Sequence, residues 1–443
     1  MGRKNIENYS IGYSILKAVF GFWHNNIYYR KVIVLGKENI NPDDHIIFAP
    51  NHQNALMDAL AVLFAQKGQL IFLARADIFR KKFIASLLYY FKMLPVYRIR
   101  DGYSSLKEND EIFNKTIDVI RNKNRLVILP EGDHAGFRRL RQLKKGICRI
   151  AFQADEASGF SLRIKIIPVG LEFTHYNRFR QVLTVVFGKP IDTSEYHELY
   201  RESPEIALNE LRNRLASEMK KLMVHIESQD DYEAIDELRS MINGRFSDNI
   251  RLPKLFRDRI LIDKLNKLKS TVQSTYRKIC DLSLLIKQKA TLLNIDYRLL
   301  EKKKHPLAWM ILGMIGLTVT LPLFIYGSIF NTIFIYLPEI KIRRMKDIQF
   351  QSTFRYAVSL ALALVILPLI LILLLVSIPP WWLAVLIFAS LPLTGLFAWN
   401  YILVFKRIVG GFRIWKYKRE KSKDYFDLKN SHDELLTLIT SLT

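Results

Sequence analysis

Residues 45–63 read HIIFAPNHQNALMDALAVL, with His52 and Asp58 six positions apart around the start of an apolar run. A carboxylate on one imidazole nitrogen fixes the tautomer and stabilises the imidazolium, and the other nitrogen is then free to take a proton from an alcohol. Within one helix, residues six apart point to different faces. Across a strand–turn–helix junction, the loop Asn51–Asn54 lets the chain fold back so that the two meet. Asn54 is the expected N-cap of the helix. On spacing alone the simpler reading stays open: His52 as a loop histidine and Asp58 as a carboxylate at the positive helix end.

Three other stretches carry polar residues at the ends of apolar runs. RLVILPEGDHAGFRRLRQLKKG, residues 125–146, turns at Pro130-Glu131-Gly132 and continues into Arg138, Arg139, Arg141, Lys144 and Lys145. Gly132 permits unusual backbone angles and close ligand approach, and Arg suits bidentate phosphate recognition. A solvated basic face or attraction to anionic lipid accounts for part of that charge. KMLPVYRIRDG, residues 92–102, closes a strand with Arg98 and Arg100. KIIPVGLEF, residues 165–173, holds Pro168, which predicts a sheet edge or strand end. His134, beside Asp133 and Glu131, lacks a recognised metal-ligand spacing, so no metal site is expected.

These residues need a scaffold. From about 31 to 195, short β-branched runs (KVIVLG, HIIFAP, LIFLAR, LPVYR, RLVILP, IKIIPVGLEF, VLTVVFG) alternate with helical stretches. This predicts an α/β domain, residues 31–200, with a central sheet flanked by helices and ligands beyond the carboxyl ends of its strands. Residues 1–30 read as an amphipathic N-terminal helix, equally suited to core packing and to a membrane surface. Residues 201–304 read as a helical, coiled-coil-like region, either a helical hairpin or a coiled-coil arm. It starts at Ser203-Pro204-Glu205 and carries a heptad seam at Leu261, Leu265, Leu268, Val272, Thr275, Ile279, Leu282 and Ile286.

The 443-residue chain is 50% hydrophobic with a formal net charge of +24. The charge calls for an anionic partner, and the long apolar runs favour lipid over nucleic acid. Cys148 and Cys280 form no metal or redox motif and fit a reduced setting. The start MGRKNIENYS has no signal-peptide core and is a poor myristoylation match.

A C-terminal α-helical transmembrane region, residues 305–405, is expected. The runs 356–378 and 383–405 each suffice to span, joined by a PPWW turn that sets Trp381 and Trp382 at headgroup level. The stretch 306–338, interrupted by Pro322 and Gly327, reads as a hairpin or re-entrant segment. That puts the basic clusters Lys302–Lys304, Lys341–Lys346 and Lys406–Arg407, the α/β domain and a basic tail, residues 406–443, on the cytosolic side.

The Asn-His…Asp turn, the strand-end Arg, the Pro-Glu-Gly turn and the late Pro-Val strand, in that order, resemble the glycerolipid acyltransferase family. Its members include the PlsC-like 1-acyl-glycerol-3-phosphate acyltransferases and the glycerol-3-phosphate acyltransferases. The resemblance covers about residues 30–195. It implies His52 as general base on a glycerol hydroxyl and Asp58 as its orienting partner, with Asn51 matching the residue before the His. It also implies Arg98 on the acceptor phosphate, Glu131 and Gly132 shaping the acceptor site, and Pro168 in a structural or acyl-chain role.

This chain departs from the family pattern in five places. Five residues separate His52 from Asp58 where four are usual, and Asn54 stands two after the His where a Ser or similar small residue is usual. Lys92 and Pro95 stand where the second motif has Gly and Phe. Asp133-His134-Ala135 follows Glu-Gly in place of Thr-Arg-Ser, with Arg138 or Arg139 expected to stand in for the lost Arg.

The resemblance implies acyl-CoA or acyl carrier protein as donor, lysophosphatidate or glycerol-3-phosphate as acceptor, membrane lipids as surroundings and no cofactor. Acylation of another lysolipid and a non-catalytic lipid-binding adaptor are the competing readings. A transporter is disfavoured because 356–378 and 383–405 contain no charge.

Overall fold

The alternation of β-branched and helical runs folds as a mixed sheet covered by helices. The computed structural model describes residues 6–96, 104–243, 252–300, 307–345 and 347–442. The chain divides into two units: Met1–Val224 with Met345–Tyr356, and His225–Arg344 with Ala357–Thr443. The first takes in more than residues 31–200, at both ends and through a twelve-residue segment far along the chain.

In the first unit, α1 (Ile11–Phe22) leads through a π-helical turn, Trp23–Tyr28, into β1 (Lys31–Leu35). There follow β2 (Ile46–Pro50), α2 (Leu56–Ala65), β3 (Leu70–Arg75), α3 (Lys82–Tyr90), β4 (Met93–Val96), α4 (Ser104–Arg121) and β5 (Arg125–Val127). Next come α5 (Gly146–Glu156), β6 (Lys165–Phe173), β7 (Val182–Phe187), β8 (Ile191–Asp192), α6 (His197–Glu202) and α7 (Pro204–Lys220). The strand order is β1-β7-β6-β2-β5-β3-β4, with β8 also on β6. Strands β6, β2, β5, β3 and β4 run parallel, and β7 and β8 lie antiparallel to β6.

All five residues of β2 are buried. That is why its sequence is a continuous apolar run rather than an alternation. The chain passes from β2 to β3, skipping a place that β5 later fills, and then leaves β5 for β6 on the other side of β2. The carboxyl ends of β2 and β5 thus flank a switch point, where open α/β sheets hold ligands.

Pro168 is not at an edge. It lies mid-strand in β6, opposite Ala49 of β2. Its other side faces the break between β7, which ends at Phe187, and β8, which begins at Ile191. The Pro168 carbonyl accepts from Gly188 N at 2.8 Å. A strand residue's N and C=O point the same way, so the missing N–H falls where the ladder changes partner and costs no pairing. Pro95 does sit in an edge strand, β4.

In the second unit, α8 (Tyr232–Ile242), α9 (Lys254–Thr271) and α10 (Gln273–Leu292) precede α11 (Leu307–Ile342), α12 (Phe350–Ser377), α13 (Trp381–Arg419) and α14 (Lys423–Thr440). The heptad seam is shared by two helices, α9 and α10, which meet at the exposed Val272 (φ −137°, ψ 76°). The stretch 306–338 is not a hairpin either, because α11 runs through Pro322 and Pro338 without interruption for 36 residues, about 54 Å.

Gly327 supplies contact rather than a bend, since a Cβ there would lie 2.2 Å from the Thr394 carbonyl of α13. Asn331 Nδ2 donates to Leu391 O at 3.0 Å and Tyr401 donates to Leu317 O at 2.9 Å, so α11 and α13 pack antiparallel. By length and composition, Leu307–Phe334, α12 and α13 each suffice to cross a membrane. The tail is helical, as the end of α13 and α14.

Candidate active site

The junction after β2 folds back on itself. Met57 N and Asp58 N close onto the carbonyls of Asn54 and Ala55 at 3.0 and 3.3 Å, starting α2. Asp58, in the first turn, is fully buried. Its Oδ2 accepts from Gln53 N at 2.7 Å and Asn54 N at 2.6 Å, while His52 Nδ1 lies 2.9 Å away. A carboxylate only accepts, so the imidazole proton sits on Nδ1 and the lone pair is on Nε2. Nε2 makes no hydrogen bond among the described residues, and the His52 side chain keeps 17% of its exposure.

Asn54 is therefore not the side-chain cap. Its own N–H is what Asp58 holds, and Ala55 occupies the cap position at φ 47°, ψ −128°. This conformation is unfavourable for any side chain. With Ala55 in this conformation, the dyad closes across its five intervening residues.

Glu131, in the turn after β5, grips the same loop from the neighbouring strand. Its Oε1 accepts from His52 N at 2.7 Å and its Oε2 from Arg141 N at 3.0 Å. Burial pushes its carboxyl up to about 7, against the two N–H donors that favour the anion. Gly132 adopts φ +70°, the left-handed conformation that suits glycine. Asn51 is buried and pins β2 to β6, accepting from Leu171 N at 2.6 Å and donating to Leu171 O at 3.2 Å. It acts by fixing the strand end from which His52 hangs.

The two arginines separate. Arg138 is buried: Nε donates to Glu172 at 2.9 Å, Nη2 donates to Phe173 O at 2.7 Å, and the guanidinium stacks 4.6 Å from the Tyr176 ring centre. Its donors are committed to β6 and the loop beyond. Arg139 is half-buried and has no hydrogen bond or ion pair among the described residues. Of the two, it has the guanidinium to offer an anion. Arg98 lies outside the described residues.

Lys92, standing where the second motif usually has Gly, takes that residue's left-handed conformation at φ 58°. Its ammonium turns inward and donates to Ile6 O at 2.6 Å and Asn8 O at 2.8 Å. Burial lowers its pKa to about 8.

Sequence reasoning singled out His134 without placing it at the dyad, and missed Tyr176, Gln349 and Phe350. The His134 ring packs edge-on to His52, 5.3 Å between centres. Phe350 packs edge-on to the His134 ring at 4.8 Å, beside Gln349. Tyr176 donates through its hydroxyl to Gln53. The Asp-His dipeptide in EGDHAG was a visible signal; Phe350 and Gln349 had none, because they reach the site from more than two hundred residues away. Burial and the neighbouring His52 hold the His134 pKa below the usual imidazole value.

Comparison with known proteins agrees with the motifs. Residues 31–172 match the Acyltransferase family. Two proteins of Saccharomyces cerevisiae are similar. Glycerol-3-phosphate O-acyltransferase 2 is 25% identical over 34% of this chain and 20% of its own length. Glycerol-3-phosphate O-acyltransferase 1 is 24% identical over 41% of this chain and 24% of its own length. This chain thus spans between a fifth and a quarter of the length of these relatives. Among solved structures, the 1-acyl-sn-glycerophosphate (LPA) acyltransferase PlsC from Thermotoga maritima is similar at 20% identity, with a TM-score of 0.32, over 49% of this chain and 79% of that one. The stretch that matches lies within the α/β unit, and the same chain carries, among the described residues, three helices long and apolar enough to cross a membrane.

Proposed function

We propose that the protein moves a fatty acyl group from an acyl thioester, on CoA or acyl carrier protein, to the hydroxyl of glycerol-3-phosphate or lysophosphatidate in phospholipid synthesis. The observation that carries this reading is the His52–Asp58 pair, with Nδ1–H donated to a fully buried carboxylate at 2.9 Å. Nε2 takes the hydroxyl proton as the alcohol oxygen attacks the thioester carbonyl. The C–S bond breaks as the tetrahedral intermediate collapses, and the thiolate leaves with the proton returned from His52. Asp58 supports the transient imidazolium. Arg139, with Arg98 from the sequence motif, is the group we assign to the acceptor phosphate.

With α11 a single helix, the clusters Lys302–Lys304 and Lys341–Lys346 flank its opposite ends, so the cytosolic assignment rests on the α12–α13 pair. If that pair crosses out and back, Lys341–Lys346 and Lys406–Arg407 lie together on the cytosolic side, the first cluster running into the 345–356 segment of the site unit. The yeast relatives' names and the net charge of +24 support an anionic acceptor at a lipid surface.

The test is acyl transfer by purified protein in lipid, with labelled acyl-CoA and acyl carrier protein as donors. Glycerol-3-phosphate, lysophosphatidate and a neutral lysolipid are offered in parallel. Label in one anionic acceptor is expected. A folded protein that labels none refutes the proposal and favours the adaptor reading.

A further inference from the structure

The family match ends at residue 172, yet the first unit also includes Met345–Tyr356, which enters α12. Ser352 donates through its hydroxyl to Tyr176 O and accepts at its carbonyl from Tyr28 Oη at 3.1 Å. Arg355 donates to Asn177 O at 2.7 Å. The segment is therefore built into the unit that holds the dyad.

Gln349 reaches His134. The backbone N–H of Gly136 can only donate and the carbonyl of His134 can only accept, and between them they orient the amide. Its oxygen accepts from Gly136 N at 2.7 Å, and its nitrogen faces His134 O at 3.3 Å and His134 Nε2 at 3.1 Å. A donor on Nε2 means that Nε2 holds a lone pair, so the His134 proton is on Nδ1. Phe350 closes the other side of the ring with its edge.

We propose that Gln349 and Phe350 are positioning residues that complete the acyltransferase site by holding His134 neutral beside His52. His52 then accepts the hydroxyl proton without a second imidazolium next to it. The inference rests on the acyl-transfer reading for its purpose, though not for its geometry. The charged and titratable groups facing His134 are His52, Asp58, Asp133, whose Oδ1 lies 3.8 Å from Nδ1, and Asp347. Arg75 approaches that same Asp133 oxygen at 3.9 Å. The carboxylates favour a charged His134, and the Gln349 amide together with burial opposes it. It follows that the helix leading into the apolar region contributes directly to the chemistry as well as to anchoring.

The discriminating variant is Gln349→Glu in the full-length protein. A carboxylate in place of the amide favours a proton on Nε2. The acid limb of kcat/KM should move up by about one pH unit, a loss that approaches tenfold well below the parental midpoint and disappears by about pH 9. In a His134→Asn background the same substitution should move nothing. A parental pH profile for Gln349→Glu, or a loss equal at every pH, overturns the proposal.

A readout independent of activity is carbethoxylation of His134 by diethyl pyrocarbonate, followed against pH by peptide mass spectrometry. Its midpoint should rise by about one unit in Gln349→Glu. An unchanged midpoint overturns the inference even in a protein whose acyl-transfer reading has failed.

Discussion

Replacing Asp58 by Asn keeps the shape of the dyad and removes its charge. Three N–H groups, from His52, Gln53 and Asn54, converge on Oδ2 at 2.9, 2.7 and 2.6 Å, so the new amide must place its oxygen there. Its NH2 then falls where Oδ1 lies buried without a hydrogen-bond partner. The turn stays held. What is lost is the attraction between the carboxylate and the imidazolium that forms as His52 takes its proton. With charge centres about 4 Å apart and an effective dielectric constant of about 20, that attraction is about 4 kcal/mol. At about 1.4 kcal/mol per decade, Asp58→Asn should lower kcat roughly a thousandfold. KM for the acceptor should change by less than about threefold, because the interaction strengthens only in the transition state. Steady-state acyl transfer alongside thermal melting measures both. A folded variant with kcat within tenfold of the parent would refute the reasoning and reduce Asp58 to a carboxylate that organises the turn.

Three further outcomes are expected. Ala55→Gly relieves the left-handed strain at φ 47° and should stabilise the protein by about 1 kcal/mol; a lower melting temperature would contradict the strain assignment. Burial raises the Glu131 carboxyl in the folded protein to about 7, above the ordinary value of 4.5, so it contributes stability in full below the unfolded pKa and loses it as pH rises through the folded one. Glu131→Gln should remove that slope between about pH 4.5 and 7, and parallel curves of melting temperature against pH for parent and variant would refute the assignment. Arg138→Ala strands the buried Glu172 and should cost about 3–5 kcal/mol, whereas Arg139→Ala should leave melting unchanged and raise KM for an anionic acceptor several-fold; the reverse pattern would exchange their roles.

How far the sequence could be read depended on the range of the forces involved. The strand–turn–helix around His52 was legible because apolar runs and a turn are local signals, and so was the glycine turn at Gly132. The strain at Ala55 was not, since no Gly or Asn stands at that position. Pro168 was misplaced because the rule that confines proline to edges assumes unbroken neighbours, and here β7 gives way to β8 opposite its ring. Pro322 and Gly327 read as a break, but proline is tolerated in long apolar helices and Gly327 lies where a Cβ would meet the Thr394 carbonyl of α13. Arg138 and Arg139 are adjacent in one basic run, and only the fold shows which of them Glu172 consumes. Gln349 and Phe350 lie between two apolar runs with no local feature to tie them to His134.

The measurement that bears most directly on the central claim is acyl transfer by His52→Ala across pH, with melting followed in the same samples. A general base contributes on the order of a hundredfold to ten-thousandfold. The account predicts a loss in that range above the parental acid limb, shrinking as pH falls through it, with the fold retained because His52 is partly exposed and its backbone N–H, held by Glu131, survives the substitution. A folded His52→Ala protein that transfers acyl groups at the parental rate would show that another group takes the hydroxyl proton and that the dyad is structural.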